Sequence, residues 1–186
     1  MMTTLRREGH LRDWGHRWPY LTDHISDSMC GLLAGVRDHP PARSLAAIRP
    51  REVTDLDIEP HPGWTSADQA KIDRYMSQLE LPGLTRTPRA ALQAPRFKGW
   101  YRYRCASAQC GGHRQGIYDW EWVALQRSLA GRDDARIRAG LRGKFLDEMC
   151  APDRDVIFYV GNQQKHQQSF MVLGLFWPRR RPPLTN

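Results

Sequence analysis

The sequence predicts an α+β domain: a small, mainly antiparallel sheet with two helices packed on one of its faces. Two strand-length segments, 156–160 and 170–177, are strongly apolar. A third, 97–105, alternates between apolar and cationic residues, as a half-buried strand does. Apolar residues also recur at helical spacing between residues 119 and 149. Strands separated by a helical segment in this way are typical of α+β domains.

Composition divides the chain into four segments. Residues 1–80 form a mixed helical preface, 81–95 a linker with three prolines, 96–178 the α+β core, and 179–186 a basic disordered tail. In the preface, apolar residues near helical spacing predict a helix over 13–37. Alternating apolar and acidic residues predict a strand over 52–58, and Ser66 is a suitable N-cap for a helix to about residue 79.

The core begins with the strand over 97–105, which is followed by a turn at 106–112 and a short strand over 115–118. Asp119 is a suitable N-cap for a helix to about residue 129, and a second helix covers 134–149. The two apolar strands then form a hairpin across the polar loop 161–169. The single predicted sheet therefore contains 97–105, 115–118, 156–160 and 170–177.

Charge is unevenly distributed along the chain. The sequence has 28 basic and 20 acidic residues, and its formal net charge is +8. No acid occurs between Leu81 and Tyr118, whereas seven bases do. Such a one-signed segment favours a polyanion partner or an acidic protein surface, and charge alone does not separate the two.

The location expected from the sequence is the cytoplasm, and no membrane partner is predicted. The first residues lack the apolar core of a signal peptide, and no window approaches the roughly 18 apolar residues that cross a membrane. In a reducing compartment the four cysteines are more often buried or metal-bound than disulfide-bonded.

A Cys/His turn predicts a structural zinc ion as the cofactor. Cys105, Cys110 and His113 have the spacing C-x4-C-x2-H, and thiolate and imidazole are the ligands that zinc prefers. Cys150, just after the second core helix, is the first candidate for the fourth ligand. The alternatives are Cys30, His166, Asp119 and water. Two half-buried thiols and a polar histidine without metal remain a competing interpretation.

The strand over 97–105 and the polar loop together predict a nucleic-acid interface. Cations interleaved with an aromatic ring suit phosphates and stacked bases, and Asn, Gln and Lys suit base edges. The predicted interface residues are Arg96, Lys98, Trp100, Arg102, Arg104, Arg114, Gln163 and Lys165. An ordinary solvated sheet face and hairpin are the alternative.

An alternative site would make the chain a metal-dependent nuclease or hydrolase. His113, Asp119 and Glu121 combine an imidazole with paired acids, and Lys165 would complete an acid, acid, lysine set. The E-x-K pattern expected on a single strand is absent, however. Asp119 and Glu121 are also suited to the first turn of a helix, where the dipole favours acids. The sequence therefore favours a binding protein over an enzyme.

The chain resembles a group of uncharacterised bacterial proteins over roughly residues 44–178. The motifs that carry the resemblance are YRYRC…C-GGH…IYDWE, KFLDEMC, FYVGNQQKH and FMVLGLFWP. It implies that the Cys/His turn, the DWE segment and the FYVGN segment belong to one unit. It implies no activity.

Nucleic-acid binding, alone or as an accessory subunit of a larger complex in defence or RNA processing, is therefore the function the sequence favours. DNA and RNA are equally compatible with these residues. A protein-interaction module, whose acidic preface and basic core each dock a partner chain, is the remaining alternative.

Overall fold

The computed structural model describes residues 17–38, 43–78 and 92–180, and it has the α+β class that the sequence predicts. The helices are α1 (Trp18–Leu21), α2 (Met29–Asp38), α3 (Ser66–Gln78), α4 (Trp120–Ser128) and α5 (Asp134–Arg142). A π-helical turn, Gly143–Glu148, extends α5. The strands are β1 (Ile25–Ser26), β2 (Leu45–Ile48), β3 (Glu52–Pro60), β4 (Phe97–Arg104), β5 (His113–Gly116), β6 (Ile157–Gln163) and β7 (His166–Phe176).

The strands lie in two sheets, whereas the sequence predicted one. The first sheet has the order β1-β2-β6-β7 and the second the order β3-β4-β5. All pairs are antiparallel except β1–β2. The sheets meet where Ile117 bridges to Val172 and the Tyr118 N–H donates to the Val172 carbonyl at 2.7 Å. The prediction was wrong because β4 is paired on both sides within its own sheet and so cannot also pair with β6 or β7.

Strands from the predicted preface belong to both sheets. β2 pairs with β6 from Leu45↔Gly161 to Ile48↔Phe158, and β3 pairs along the whole of β4. The division into preface, linker, core and tail stays a prediction. Residues 1–16 and 181–186, and most of the predicted linker, lie outside the described residues.

The single helix predicted over 13–37 is interrupted. After α1 a 3-10 turn leads into β1, and a new helix begins at Met29. Ser28 explains the restart, because its Oγ accepts from the Gly31 N–H at 2.9 Å, as an N-cap does. Ile25 pairs with Ala47 of β2, so sheet pairing overrides local helical spacing here.

The hairpin of β6 and β7 is longer than predicted. Strand pairing continues to Gln163↔His166, so most of the nine-residue loop is strand and its turn is only two residues. Polar side chains do not prevent pairing at an exposed hairpin end, because backbone N–H and C=O groups form the hydrogen bonds between the strands. The Asn162 N–H of β6 donates to the carbonyl of Ser44, the residue before β2, at 3.0 Å.

The alternation predicted for β4 is confirmed and builds the core. Phe97, Gly99, Tyr101 and Tyr103 are buried, while the even-numbered residues of the strand are exposed or half-buried. Tyr101 stacks on Phe158 of β6 at a centroid distance of 4.8 Å. Its hydroxyl donates to the Phe145 carbonyl of the π-helical turn at 2.9 Å. Tyrosines of one sheet therefore fill the space between the other sheet and α5.

No helix within 17–38, 43–78 or 92–180 is long and apolar enough to cross a membrane.

Candidate metal centre and nucleic-acid interface

Four side chains from three parts of the chain converge on one point, and we call them the Cys/His cluster. They are Cys30, Cys105, Cys110 and His113. One ligand atom of each lies within 4.8 Å of the others. Cys105 is buried and the other three are half-buried, so the group is shielded but reachable. The cluster could hold a metal ion, and thiolates with one imidazole suit soft or borderline ions.

The imidazole lies at the centre of the measured contacts. The His113 Nε2 atom is 3.5 Å from the Cys30 sulfur, 3.4 Å from the Cys105 sulfur and 3.3 Å from the Cys110 sulfur. The sulfurs of Cys30 and Cys105 are 3.6 Å apart. All four cysteines are free thiols. One nitrogen and three sulfurs thus face a common space, as ligands of a single ion would.

Local structure explains how the loop after β4 folds back. Tyr103 pairs with His113, so β4 and β5 bring the two ends of the loop together. The Cys110 N–H donates to the Ser107 carbonyl at 3.1 Å, which closes a turn. Gly112 has a φ of +102°, a conformation that side chains rarely adopt. The Ala106 N–H reaches the Asp27 carbonyl at 2.8 Å and ties the loop to the segment that leads into α2.

The thiols of the cluster differ in acidity. Burial raises the pKa of Cys105, but hydrogen bonds from the Cys30 backbone and the His113 ring outweigh it, and the pKa falls to about 6. Burial, together with the Cys105 sulfur, raises the pKa of Cys30 to about 11. Without a cation, a second thiolate beside the first is therefore unfavourable.

Cys150, the fourth ligand that the sequence favoured, does not belong to the cluster; Cys30 takes that place. The Cys150 thiol donates to the Phe145 carbonyl at 3.4 Å, within the π-helical turn. Burial raises its pKa to about 12. The physical reason is that Cys150 lies beside Tyr101, in the middle of β4, whereas the loop begins after the end of β4 and turns toward α2.

The basic strand β4 faces a strand of acids. The four acids of β3 lie directly across from the four predicted residues of β4, in the pairs Glu52↔Arg104, Asp55↔Arg102, Asp57↔Trp100 and Glu59↔Lys98. Opposite charges on paired strands stabilise a sheet. Much of the charge that predicted a polyanion surface here is consequently neutralised within the sheet.

Asp57 is the centre of this arrangement. It accepts from the Arg102 Nε at 2.8 and 2.9 Å and from the Arg114 Nε at 2.6 Å. Arg114 also donates to Glu59 at 2.6 Å. The Arg102 hydrogen bond, helped by Arg114, holds the pKa of Asp57 below its ordinary value despite burial.

We expect Asp57→Asn to lower the free energy of unfolding by about 1–2 kcal/mol, because two arginines lose a charged acceptor and both are partly exposed. Urea denaturation at pH 7 measures it, and 1 M NaCl should shrink the difference by screening. The matched control is Asp73→Asn on the exposed helix α3, which should change stability by no more than about 0.5 kcal/mol. Equal losses in the two variants would contradict this role of Asp57.

Three of the predicted interface residues line one cavity of about 540 Å³. Trp100 and Arg114 contribute from the second sheet, and Gln163 contributes from the hairpin of the first. Tyr118, His166 and Gln168 complete the polar and aromatic part of the wall. The Arg114 guanidinium lies 4.2 Å above the Trp100 ring, so the pair forms one stacked platform.

A second cavity of about 500 Å³ adjoins the first and shares Trp100 and Tyr118 with it. It adds two further exposed aromatic rings, those of Trp64 and Trp120. Tyr118 and Trp120 are each 66% exposed and Trp64 is 38% exposed. We call Trp64, Trp100, Tyr118 and Trp120 the aromatic track. Large exposed rings concentrated in one place are typical of binding surfaces.

The other predicted interface residues lie apart from these cavities or at their edge. Arg96 pairs with Asp134 and donates to the Arg132 carbonyl at 3.0 Å. Lys98 lines the second cavity, and Arg104 is exposed at the far end of β4. Lys165 is exposed at the hairpin turn.

The residues of the predicted nuclease site are not brought together. Among the described residues, the Cys/His cluster is the one group of three or more His, Cys, Asp or Glu side chains placed to share an ion. His113 belongs to that cluster. Asp119 caps α4, because its Oδ1 accepts from the Glu121 N–H at 2.9 Å, and Glu121 is exposed in the first turn. Burial raises the pKa of Asp119.

Comparison with known proteins gives one match. A family model described as a domain of unknown function, DUF8757, matches residues 25–186, a range that contains the whole Cys/His cluster. No curated protein and no solved structure matches the chain.

Proposed function

This chain belongs to the DUF8757 family of domains of unknown function, and we propose that it is a nucleic-acid-binding protein whose fold is held by a structural zinc ion. The observation that carries the proposal is the aromatic track with its adjoining polar wall. Bases would stack on the exposed rings, while amide and imidazole groups of the hairpin would contact base edges. Single strands fit best, because their bases are free to leave the stack.

Geometry supports zinc as the ion. With Zn–S of about 2.3 Å and Zn–N of about 2.0–2.1 Å, a tetrahedron has edges of about 3.5 Å between nitrogen and sulfur and about 3.8 Å between sulfurs. The measured N···S distances of 3.3–3.5 Å and the S···S distance of 3.6 Å lie close to these values. Four protein ligands leave no position for a water, so the ion would be structural rather than catalytic. It would fix α2 against the end of the β4–β5 hairpin.

Binding of labelled single-stranded DNA, single-stranded RNA and duplexes to the zinc-loaded full chain, followed by fluorescence anisotropy, tests the proposal. We expect Tyr118→Ala and Trp120→Ala each to weaken single-strand binding by roughly 10- to 100-fold, because each base–ring stack contributes about 1–3 kcal/mol. Both rings are largely exposed, so the fold should survive their removal.

Tyr75→Ala is the matched control. Tyr75 is 57% exposed on α3 and lines neither cavity of the track. Its removal should leave affinity unchanged within twofold. Equal affinity in the Tyr118→Ala and Tyr75→Ala variants would reject the aromatic track as the site. Absence of any binding at low salt would reject nucleic-acid binding and favour the protein-interaction alternative.

A further inference from the structure

Five arginines of the described chain converge on a cleft that lies outside the predicted interface. The cleft has a volume of about 770 Å³ and shares no lining residue with the two cavities of the aromatic track. Five arginines line it, together with two acids, Glu52 and Asp155. We call it the arginine cleft, and its arginines are Arg49, Arg51, Arg154, Arg179 and Arg180.

Three separate segments supply these arginines. Arg49 and Arg51 lie in the turn between β2 and β3, and the Arg51 N–H donates to the Arg104 carbonyl at 2.8 Å. The other three come from the loop before β6 and from the segment after β7. Backbone hydrogen bonds hold this second group, including Asp155 N–H to the Pro178 carbonyl at 2.8 Å. The backbone that carries these arginines is therefore held by main-chain hydrogen bonds rather than left as a free tail.

Like charges are held side by side in this cleft. Arg154 and Arg179 are partners in an antiparallel bridge, and like charges directly opposite each other destabilise such a pair. Asp153 lies between them but is 3.7 Å from the Arg154 Nε and 3.9 Å from the Arg179 Nε, so it makes no hydrogen bond with either nitrogen. Asp153 is nevertheless within ion-pair distance of both arginines, so its single negative charge is shared between two positive ones.

Among the five arginines, Arg154 combines burial with a side-chain nitrogen that has no hydrogen-bond partner. Its side chain is only 20% exposed, and its buried Nε has no hydrogen-bond partner. Its guanidinium lies 5.0 Å above the Trp177 ring, which fixes its position without giving it an acceptor. Buried polar groups are normally paired, and Arg154 also lines the cleft, so its guanidinium keeps unused hydrogen-bonding capacity at this wall.

Asp155, one of the two acids that line the cleft, does not supply an acceptor to the Arg154 Nε. Asp155 is already engaged by Arg49, with contacts of 3.2 and 3.3 Å. Arg51 has no ion-pair partner within the described ranges, and the Arg180 Nε donates to the Arg154 carbonyl at 3.0 Å. The cleft thus keeps an excess of positive charge after its internal pairs are formed.

We propose that the arginine cleft binds the phosphate groups of a ligand that carries several of them. Guanidinium groups match phosphate oxygens bidentately, and several phosphates would compensate several arginines at once. The volume lies in the range of small-molecule sites, about 300–1,000 Å³. The phosphates belong either to a nucleic-acid backbone or to a phosphorylated small molecule. The site is independent of the aromatic track.

Isothermal titration calorimetry of the full chain with two probes tests the cleft. Tripolyphosphate represents a phosphate chain, and an oligonucleotide of abasic sites represents a backbone without bases. We expect the double variant Arg51→Gln/Arg179→Gln to weaken binding of at least one probe by tenfold or more at constant ionic strength. The matched control is Arg136→Gln, an exposed arginine of α5 outside the cleft, which should change affinity less than twofold.

The two probes separate the two sources. Binding of the abasic oligonucleotide would assign the cleft to a nucleic-acid backbone, whereas binding of tripolyphosphate alone would assign it to a phosphorylated small molecule. Equal affinity of the double variant and the control for both probes would overturn the proposal. Tighter binding of hexaglutamate than of either probe would also overturn it, because the cleft would then recognise carboxylates. The Tyr118→Ala variant should keep its affinity for tripolyphosphate, so failure of one site leaves the other tested.

Discussion

Cys105→Ser should abolish stoichiometric zinc binding. It should also destabilise the fold more than Cys150→Ser does, because Cys150 lies outside the Cys/His cluster. Structural zinc contributes about 10–16 kcal/mol of apparent binding free energy in small zinc domains. Whole domains are stable by only about 5–15 kcal/mol. We therefore expect the melting temperature of the variant to fall by about 15 °C or more, or the cooperative transition to disappear. Zinc per chain by mass spectrometry and circular dichroism melts measure both effects.

Cys150→Ser is the matched control, since Cys150 is also a free cysteine but lies outside the cluster. A serine hydroxyl there can still donate to the Phe145 carbonyl, so this variant should keep one zinc and most of its stability. Chelation of the wild type should reproduce the Cys105→Ser melt, and added zinc should reverse it. Full zinc content in Cys105→Ser, or equal melting temperatures in the two variants, would contradict a structural ion in the cluster.

Gly99→Ala should cost about 3 kcal/mol, at the upper end of the usual range for overpacking a core. A Cβ at Gly99 would lie 2.5 Å from two ring carbons of Trp122. The ring cannot move aside easily. It is 2% exposed, its Nε1 donates to the Phe97 carbonyl at 3.0 Å, and its edge packs on Phe145 at 4.9 Å. For a chain of this size, the melting temperature should fall by about 6–12 °C.

Gly143→Ala is the control for the loss of glycine itself. Nothing lies within 4 Å of a Cβ at Gly143, and its backbone is helical. Alanine there should be neutral or stabilise by up to about 1 kcal/mol. Combining Gly99→Ala with Trp122→Leu should cost less than the sum of the two single changes, because the smaller side chain removes the clash. Strict additivity would show that Trp122 is not the obstacle.

Local pattern was sufficient to predict the elements but not their partners. The alternation in β4, the Asp119 cap and the helix from Ser66 each depend on residues near in sequence, and each is present. Sheet membership depends on distant pairing. The acids of β3 and the bases of β4 carried a signal of that pairing, because complementary charges favour neighbouring strands. The predicted linker, 81–95, separates β3 from β4 in the sequence, so their pairing is not evident from adjacent segments.

The Cys/His cluster likewise shows that local pattern does not predict partners that are distant in sequence. The C-x4-C-x2-H spacing identified three members of the cluster, since one loop supplies them. Cys30 lies 75 residues before Cys105 and has no spacing signal. Cys150 was the better candidate by position, yet it lies beside Tyr101 in the middle of β4, whereas the cluster lies at the end of that strand. The arginine cleft was missed for a similar reason. The sequence marked 179–186 as basic, but the arginines that meet it there come from two other short segments with no shared pattern.

Pairing between β2 and β6 also sets the order in which the two sheets can form during synthesis. Leu45 leaves the ribosome more than a hundred residues before its partner Gly161, so the first sheet cannot close during most of synthesis. The Cys/His cluster, by contrast, has all its members once residue 113 has emerged. A nascent chain could therefore assemble the metal centre and the β3-β4-β5 sheet first. The edge of β2 that pairs with β6 would stay unpaired until the hairpin of β6 and β7 has emerged. Contacts of such long range are the slow step of folding.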